Sequence, residues 1–306
     1  MQKAIFPFKF ERKIAFSRCL SVCRCLNQGK QMRAAHRYDL KASLLSTNHP
    51  GNFHEKCYNR IIKKQTSSRV DGRWSATRAV KWSEIMKETQ TETKTVGMED
   101  IVRAHHVLRE VIVRTPLQRD AVLSAKYGCN VYLKREDLQV VRSFKIRGAY
   151  NMIRSLTDAE RSAGIVCASA GNHAQGVAFS CNALNIRGKI YMPSTTPKQK
   201  VKQVKRFGGS SVEVILTGDT FDDAYDEAIK ACKEQGMTFI HPFDEPRIVA
   251  GNGTIGMEIM EEIDAPADVV FVTIGGGGLA AGVATYVKTV SPATRVIGVE
   301  PLGALR

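Results

Sequence analysis

Residues Val269-Val270-Phe271-Val272-Thr273-Ile274-Gly275-Gly276-Gly277-Gly278-Leu279-Ala280-Ala281 decide the fold class. The first six are almost all β-branched and predict a buried strand. Four glycines interrupt it, and residues 279–290 then read as a helix. Strand, glycine turn and helix open a βαβ unit, and residues 295–299 supply the next strand. The turn also carries chemistry. Glycines let the backbone approach an anion, and the free N–H groups and dipole of the following helix favour phosphate. In open α/β sheets, ligands gather at the carboxyl ends of the strands. This segment alone does not say which phosphate. Gly276, Gly278 and Ala281 satisfy G-x-G-x-x-A, and Glu300 ends the next strand. That is also the layout of a dinucleotide site, so a nicotinamide-dependent oxidoreductase competes here.

The alternation extends back to residue 99. Helices are predicted over 99–112, 146–156, 172–184, 197–207, 221–235 and 254–263, with Ser143 as the cap of the second. Strands are predicted over 131–133, 165–168, 190–192, 212–216 and 238–240. There is no internal repeat. The expected fold is α/β, a parallel-rich sheet with helices on both faces.

Residues 1–97 differ from the rest. Residues 1–70 hold 15 Lys and Arg against Glu11, Asp39 and Glu55, so most of the net charge of +15 lies there. The basic character belongs to this extension, and nucleic-acid binding by the folded part is not implied. Its composition predicts disorder, and its first 35 residues are similar to an organellar targeting peptide. The destination is then mitochondrial, or cytoplasmic if the leader is untargeted. The sequence contains no apolar stretch long enough to span a bilayer. The eight cysteines follow no signal-peptide core and are expected to be free thiols. Cys19, Cys23 and Cys25 lack a C-x-x-C pair, and no metal site is expected.

Two further turns carry candidate chemistry. Ser143-Phe144-Lys145-Ile146-Arg147-Gly148-Ala149 places a lysine at a helix start, among apolar residues. The helix N-terminus, partial burial and nearby Arg147 should all disfavour its charged form. A neutral lysine can join an aldehyde as a Schiff base and later act as a base. An exposed helical lysine is the simpler alternative. Ser169-Ala170-Gly171-Asn172-His173 offers a hydroxyl, N–H groups and an amide at another helix start, suited to a carboxylate or phenolic oxygen. It also suits an ordinary capped helix.

Taken together, Lys134-Arg135-Glu136-Asp137-Leu138, residues 143–149, residues 169–176 and residues 275–279 resemble the threonine/serine dehydratase family of fold-type II pyridoxal-phosphate (PLP) enzymes. The resemblance implies a two-domain architecture similar to the tryptophan synthase β-subunit. Residues 98–137 and 237–306 would form a large cofactor-binding domain, and 138–236 a small one. Lys145 would carry PLP covalently and Phe144 would pack on its ring. Asn172 would meet its phenolic oxygen, and Gly275, Gly276, Gly277, Gly278 and Leu279 would hold its phosphate. Ser169, Gly171, Asn172 and His173 would receive the substrate carboxylate. The implied reaction converts L-threonine or L-serine to a 2-oxo acid and ammonia, in a homo-oligomer.

The sequence departs from the family in several places. Asn252 stands where relatives usually have Gln. Ala170 stands where relatives that racemise serine have Ser, which favours elimination over racemisation. Glu300 matches a metal-binding carboxylate of some relatives, but its partner ligands would lie at or beyond residue 306. Relatives continue beyond residue 306, where they supply the partner of the pyridine nitrogen, so the large domain is expected to be incomplete. A truncated, catalytically impaired isoform is the resulting alternative.

Overall fold

The computed structural model describes residues 95–300 and the backbone of residues 20–24. Two sheets organise the chain. Four strands, β4 (Ile165–Ala168), β5 (Gly188–Met192), β6 (Val212–Leu216) and β7 (Thr238–Phe239), form an all-parallel sheet in the order β6-β5-β4-β7. The other sheet joins β1 (Leu20–Arg24), β2 (Leu117–Arg119), β3 (Asn130–Lys134), β8 (Val269–Thr273) and β9 (Arg295–Val299) in the order β2-β3-β1-β8-β9. There only β8 and β9 run parallel; β1 is antiparallel to both β3 and β8.

The parallel sheet shows why its strands read as continuous apolar runs. Successive side chains alternate between faces, and both faces are covered. Ile165 and Cys167 point into one cluster with Ile190, Val177 and Ile153, while Val166 and Ala168 point into another with Ala224 and Ala228. The first cluster includes α3 (Lys145–Arg154), α5 (Asn172–Leu184) and α6 (Lys198–Gly208). The second is built on α7 (Phe221–Gln235), which a Thr220/Asp223 capping box opens and left-handed Gly236 closes. Val270 and Val272 of β8 face α8 (Pro246–Glu262) and α9 (Gly278–Val290).

Several expectations need correction. The helix expected over 254–263 begins at Pro246. Gly251 and Gly253 suggest a break but serve a close crossing, since a Cβ at 251 would lie 2.6 Å from the Arg147 carbonyl oxygen. The cap of α3 is Phe144; the Ser143 hydroxyl is buried without a hydrogen-bond partner. Helices α1 (Met98–Leu108), α2 (Ala121–Tyr127) and α4 (Asp158–Ala163) also lie among the described residues, the latter two too short to have been predicted. Of the extension 1–97, residues 20–24 pair into a sheet; the proposed targeting segment otherwise lies outside the described residues. The parallel sheet runs to Phe239, beyond the expected domain boundary at 236. Cys129, Cys167, Cys181 and Cys232 are free thiols, and no described helix is long and apolar enough to cross a membrane.

One buried ionic network ties these elements together. Arg147 on α3 is fully buried and donates to Glu136 through Nε (2.9 Å) and Nη2 (2.7 Å). It also donates to Glu258 of α8 through Nη1 (2.6 Å) and Nη2 (2.9 Å). Lys134 of β3, equally buried, reaches Glu258 at 2.7 Å, Glu262 at 2.8 Å and the Thr115 carbonyl at 2.5 Å. Burial opposes the charge on Arg147, but Glu136 and Glu258 outweigh it and hold the guanidinium above its usual range. Burial likewise opposes the Glu258 carboxylate, and Arg147 and Lys134 keep it below its usual value. Removing one partner leaves a buried charge uncompensated, a loss of about 3–5 kcal/mol. Arg147→Met is therefore expected to lower the free energy of urea unfolding by that amount, and a loss under 1 kcal/mol would contradict it.

Candidate active site

Lys145 is the first residue of α3, and its backbone is pressed against α5. A Cβ at Gly176 would lie 3.0 Å from the Lys145 carbonyl carbon and oxygen, a tighter contact than side chains usually make, so glycine favours this approach. The Lys145 side chain is largely enclosed. Its Nζ lies 2.6 Å from the Pro242 carbonyl oxygen and 5.4 Å from the centre of the Phe144 ring. Burial brings the amine down to about 8. The charge of Arg147, expected to contribute, is not a cause. Arg147 is neutralised by Glu136 and Glu258, so desolvation is what lowers Lys145.

The glycine turn sits at the carboxyl end of β8 and the start of α9. Gly275 and Gly276 are exposed, and Gly277 is left-handed with φ +88°. A Cβ at Gly275 or Gly277 would meet no atom within 4 Å. Cβ atoms at Gly276 and Gly278 would collide with the Phe243 ring and carbonyl respectively. The segment 241–244 therefore joins the two candidate features. Pro242 holds the Lys145 amine, and Phe243 lies on the glycine turn. Phe144 packs into the same apolar cluster as Leu279 and Ile274.

The remaining candidates lie at the start of α5. Ser169, Gly171 and Asn172 are half-buried, and the Gly171 N–H donates to Ser169 Oγ at 3.2 Å. The first N–H groups of a helix have no intrahelical partner, and such groups suit an anion. His173 is placed differently from the other three. Its ring is buried, with Nε2 3.0 Å from the Ile240 carbonyl oxygen. A carbonyl only accepts, so Nε2 carries the proton. Burial first, then Lys145, pushes the ring down to about 3, and it stays neutral. The ring is thereby committed to the core, and His173 has its backbone N–H to offer a ligand.

Sequence reasoning missed Pro242 and Phe243, whose only signal was an aromatic, proline-bearing segment between a strand and a helix. It also missed that Lys134, Glu136 and Glu258 act as one buried unit. Asn252 is almost fully buried, yet neither of its amide atoms has a hydrogen-bond partner; nothing in the structure explains this.

The residues fit a phosphate-bearing aldehyde. An enclosed amine of lowered basicity and an open glycine cradle are linked through residues 242–243. Comparison with known proteins points the same way. The profile of the family described as "Pyridoxal-phosphate dependent enzyme" matches residues 108–306. The biosynthetic L-threonine dehydratase of Halalkalibacterium halodurans is 62% identical over 209 residues, covering 68% of this chain and 50% of that protein. That of Bacillus subtilis is 55% identical over 219 residues, covering 72% and 52%. Among solved structures, processed threonine deaminase isoform 2 from Solanum lycopersicum aligns with a TM-score of 0.63 at 44% identity, covering 69% of this chain and 59% of that one. Maize serine racemase aligns with a TM-score of 0.65 at 32% identity, covering 69% and 63%. The chain spans about half the length of the curated relatives it matches.

The depressed basicity of Lys145 has a measurable sign. A lysine that is less basic when folded contributes its full stability only above its unfolded value, near 10.5, and that stability is lost as pH falls toward about 8. Lys145→Met is expected to be more stable than the wild type at pH 7, with the gap closing above pH 10.5. Thermal melts of both proteins across that range check this; equal stability at neutral pH would refute the buried amine.

Proposed function

We propose that this chain, which belongs to the pyridoxal-phosphate dependent enzyme family, eliminates the hydroxyl group of L-threonine, and of L-serine, to give a 2-oxo acid and ammonia. One observation carries the reading. The enclosed Lys145 amine is linked through Pro242 and Phe243 to an open glycine cradle at a helix start. The similarity to biosynthetic L-threonine dehydratases supports the substrate class.

When bound, PLP supplies a conjugated ring that takes up the electron pair released at the substrate Cα. Everything else falls to the protein. Lys145 would hold the aldehyde carbon covalently until the substrate amine takes its place. The amine thus freed would remove the Cα proton, and a value of about 8 keeps it close to the working range of a base at neutral pH. The N–H groups of Gly275 to Leu279 and the dipole of α9 would hold the phosphate. Phe144, packed into the same apolar cluster as Leu279 and Ile274, would pack on the ring. The Asn172 amide would donate to the phenolic oxygen. Ser169 and the N–H groups of Gly171, Asn172 and His173 would bind the substrate carboxylate and fix which Cα bond faces Lys145. The proton taken by Lys145 would pass to the β-hydroxyl, which would leave as water; the amino group would leave as ammonia after water adds to the carbon that carried it. Threonine gives 2-oxobutanoate and serine gives pyruvate.

Serine racemisation is the nearest competing reading, because maize serine racemase aligns over most of the described chain. It needs a second proton carrier opposite Lys145. Ala170 stands where such relatives have Ser and offers only a methyl group, so elimination is the better fit. The dinucleotide reading of the glycine turn is set aside by the family match.

The test combines a 2-oxo acid assay on threonine and serine with borohydride trapping of the PLP-loaded chain. The trapped adduct is expected on Lys145, and Lys145→Ala is expected to abolish 2-oxo acid release. An adduct elsewhere, or substantial turnover by the variant, would overturn the assignment.

A further inference from the structure

The turn that holds Lys145 is itself held by one imidazole. His241 Nδ1 lies 2.7 Å from the Asp244 backbone N and 3.3 Å from the Phe243 backbone N. Both N–H groups donate, so Nδ1 must carry a lone pair and the ring must be neutral. The ring is also wedged between aromatic neighbours, with centroids 6.2 Å from Phe239 and 4.7 Å from Phe243. From this tie the turn extends two contacts. The Pro242 carbonyl accepts from Lys145 Nζ at 2.6 Å, and Phe243 lies against Gly276 and Gly278.

Resting on the function proposed above, we propose that His241 is a positioning residue, whose neutral ring latches residues 242–244 so that Pro242 fixes the Lys145 amine beside the glycine cradle. The latch has a direction. Protonating Nδ1 replaces an acceptor with a donor aimed at two N–H groups, and the turn releases. The charged groups facing the ring are Asp244 in the turn and Lys145 on α3; His173 on α5, titratable but neutral, lies nearby. Burial, the largest influence, lowers the basicity of His241; Asp244 works against this and Lys145 adds to it. A released ring returns toward the ordinary value of about 6.5. The latch is therefore complete above that pH and weakens as pH falls below it.

The test uses the full chain without added cofactor and two readouts independent of turnover. One is amide hydrogen exchange at Phe243 and Asp244, corrected for its intrinsic pH dependence. The other is the pH midpoint of Lys145 acetylation by acetic anhydride, read by peptide mass spectrometry. In the wild type, exchange at these amides should accelerate as pH falls below about 6.5. His241→Ala should exchange there roughly ten-fold faster, the effect of losing one such hydrogen bond. Its Lys145 midpoint should also rise from about 8 toward the ordinary value of 10.5 as water reaches the amine. His241→Asn places an amide oxygen near the Nδ1 position. It should restore both readouts and abolish the pH dependence of exchange. Amides in α7 serve as the folding control.

The proposal is overturned if His241→Ala, folded by that control, keeps the wild-type exchange and Lys145 midpoint. It is equally overturned if His241→Asn behaves like the alanine variant. If both variants respond as expected but borohydride traps no PLP on Lys145, the proposed function fails and the positioning role of His241 stands.

Discussion

The clamp of Glu136 and Glu258 on Arg147 is the constraint on which the rest of the structure depends. It is made of groups that cannot be buried singly. A guanidinium out of water is tolerable only when its donors are met, and here the fork meets two carboxylates that come from different parts of the chain. Glu136 follows β3, Arg147 lies in the first turns of α3, and Glu258 is on α8. Lys134 adds a second cation on Glu258 and a bond to the Thr115 carbonyl, and the Thr115 hydroxyl returns to Glu136 at 2.6 Å. The network fixes the start of α3 against both β3 and α8. Gly251, with no side chain, lets α8 come close enough for Glu258 to reach.

The same helix start carries two cations with opposite treatment. Residues two apart on a helix do not share a face. Arg147 turns toward the carboxylates, while Lys145 turns toward a neutral carbonyl at Pro242 and the ring of Phe144. One cation is fully compensated and the other is desolvated with a neutral acceptor. The surroundings of Lys145 follow suit. His173 is held neutral by its bond to Ile240 and by burial, and the ring of His241 is neutral because it accepts two backbone N–H groups. Neutral neighbours keep the amine's basicity low without a carboxylate to restore it. A rigid ionic clamp two residues away lets that costly arrangement persist.

The elements most legible in the sequence were those governed by local rules. Helix α5 and the strands β4, β6 and β9 fall where periodicity and flanking turns place them, and α7 is bounded by its capping box and Gly236. The start of α8 was not legible, because local propensity penalises Gly251 and Gly253 while tertiary crossing requires them. The mixed sheet was not legible either, since β1 pairs across more than a hundred residues with β3 and still more with β8. At the site, Lys145 and the glycine turn could be singled out by residue type and position. The His241–Asp244 turn could not, because its role lies in backbone groups, a carbonyl and two amides, that any sequence possesses.

The four glycines show how a motif can mislead when its residues serve different ends. Gly276 and Gly278 define the dinucleotide-like spacing, yet both lack a side chain for a reason internal to the protein, since Phe243 occupies the space a Cβ would need. Gly275 and Gly277 are the ones that face open space, and Gly277 alone needs the left-handed conformation. A fingerprint counts glycines without asking what each one admits. Here the alternate pair admits a phenylalanine from the turn that holds Lys145, and the other pair leaves room for a ligand. The run therefore couples the amine to the cradle. A flexible linker of the same composition would have no reason to place Phe243 against every second residue.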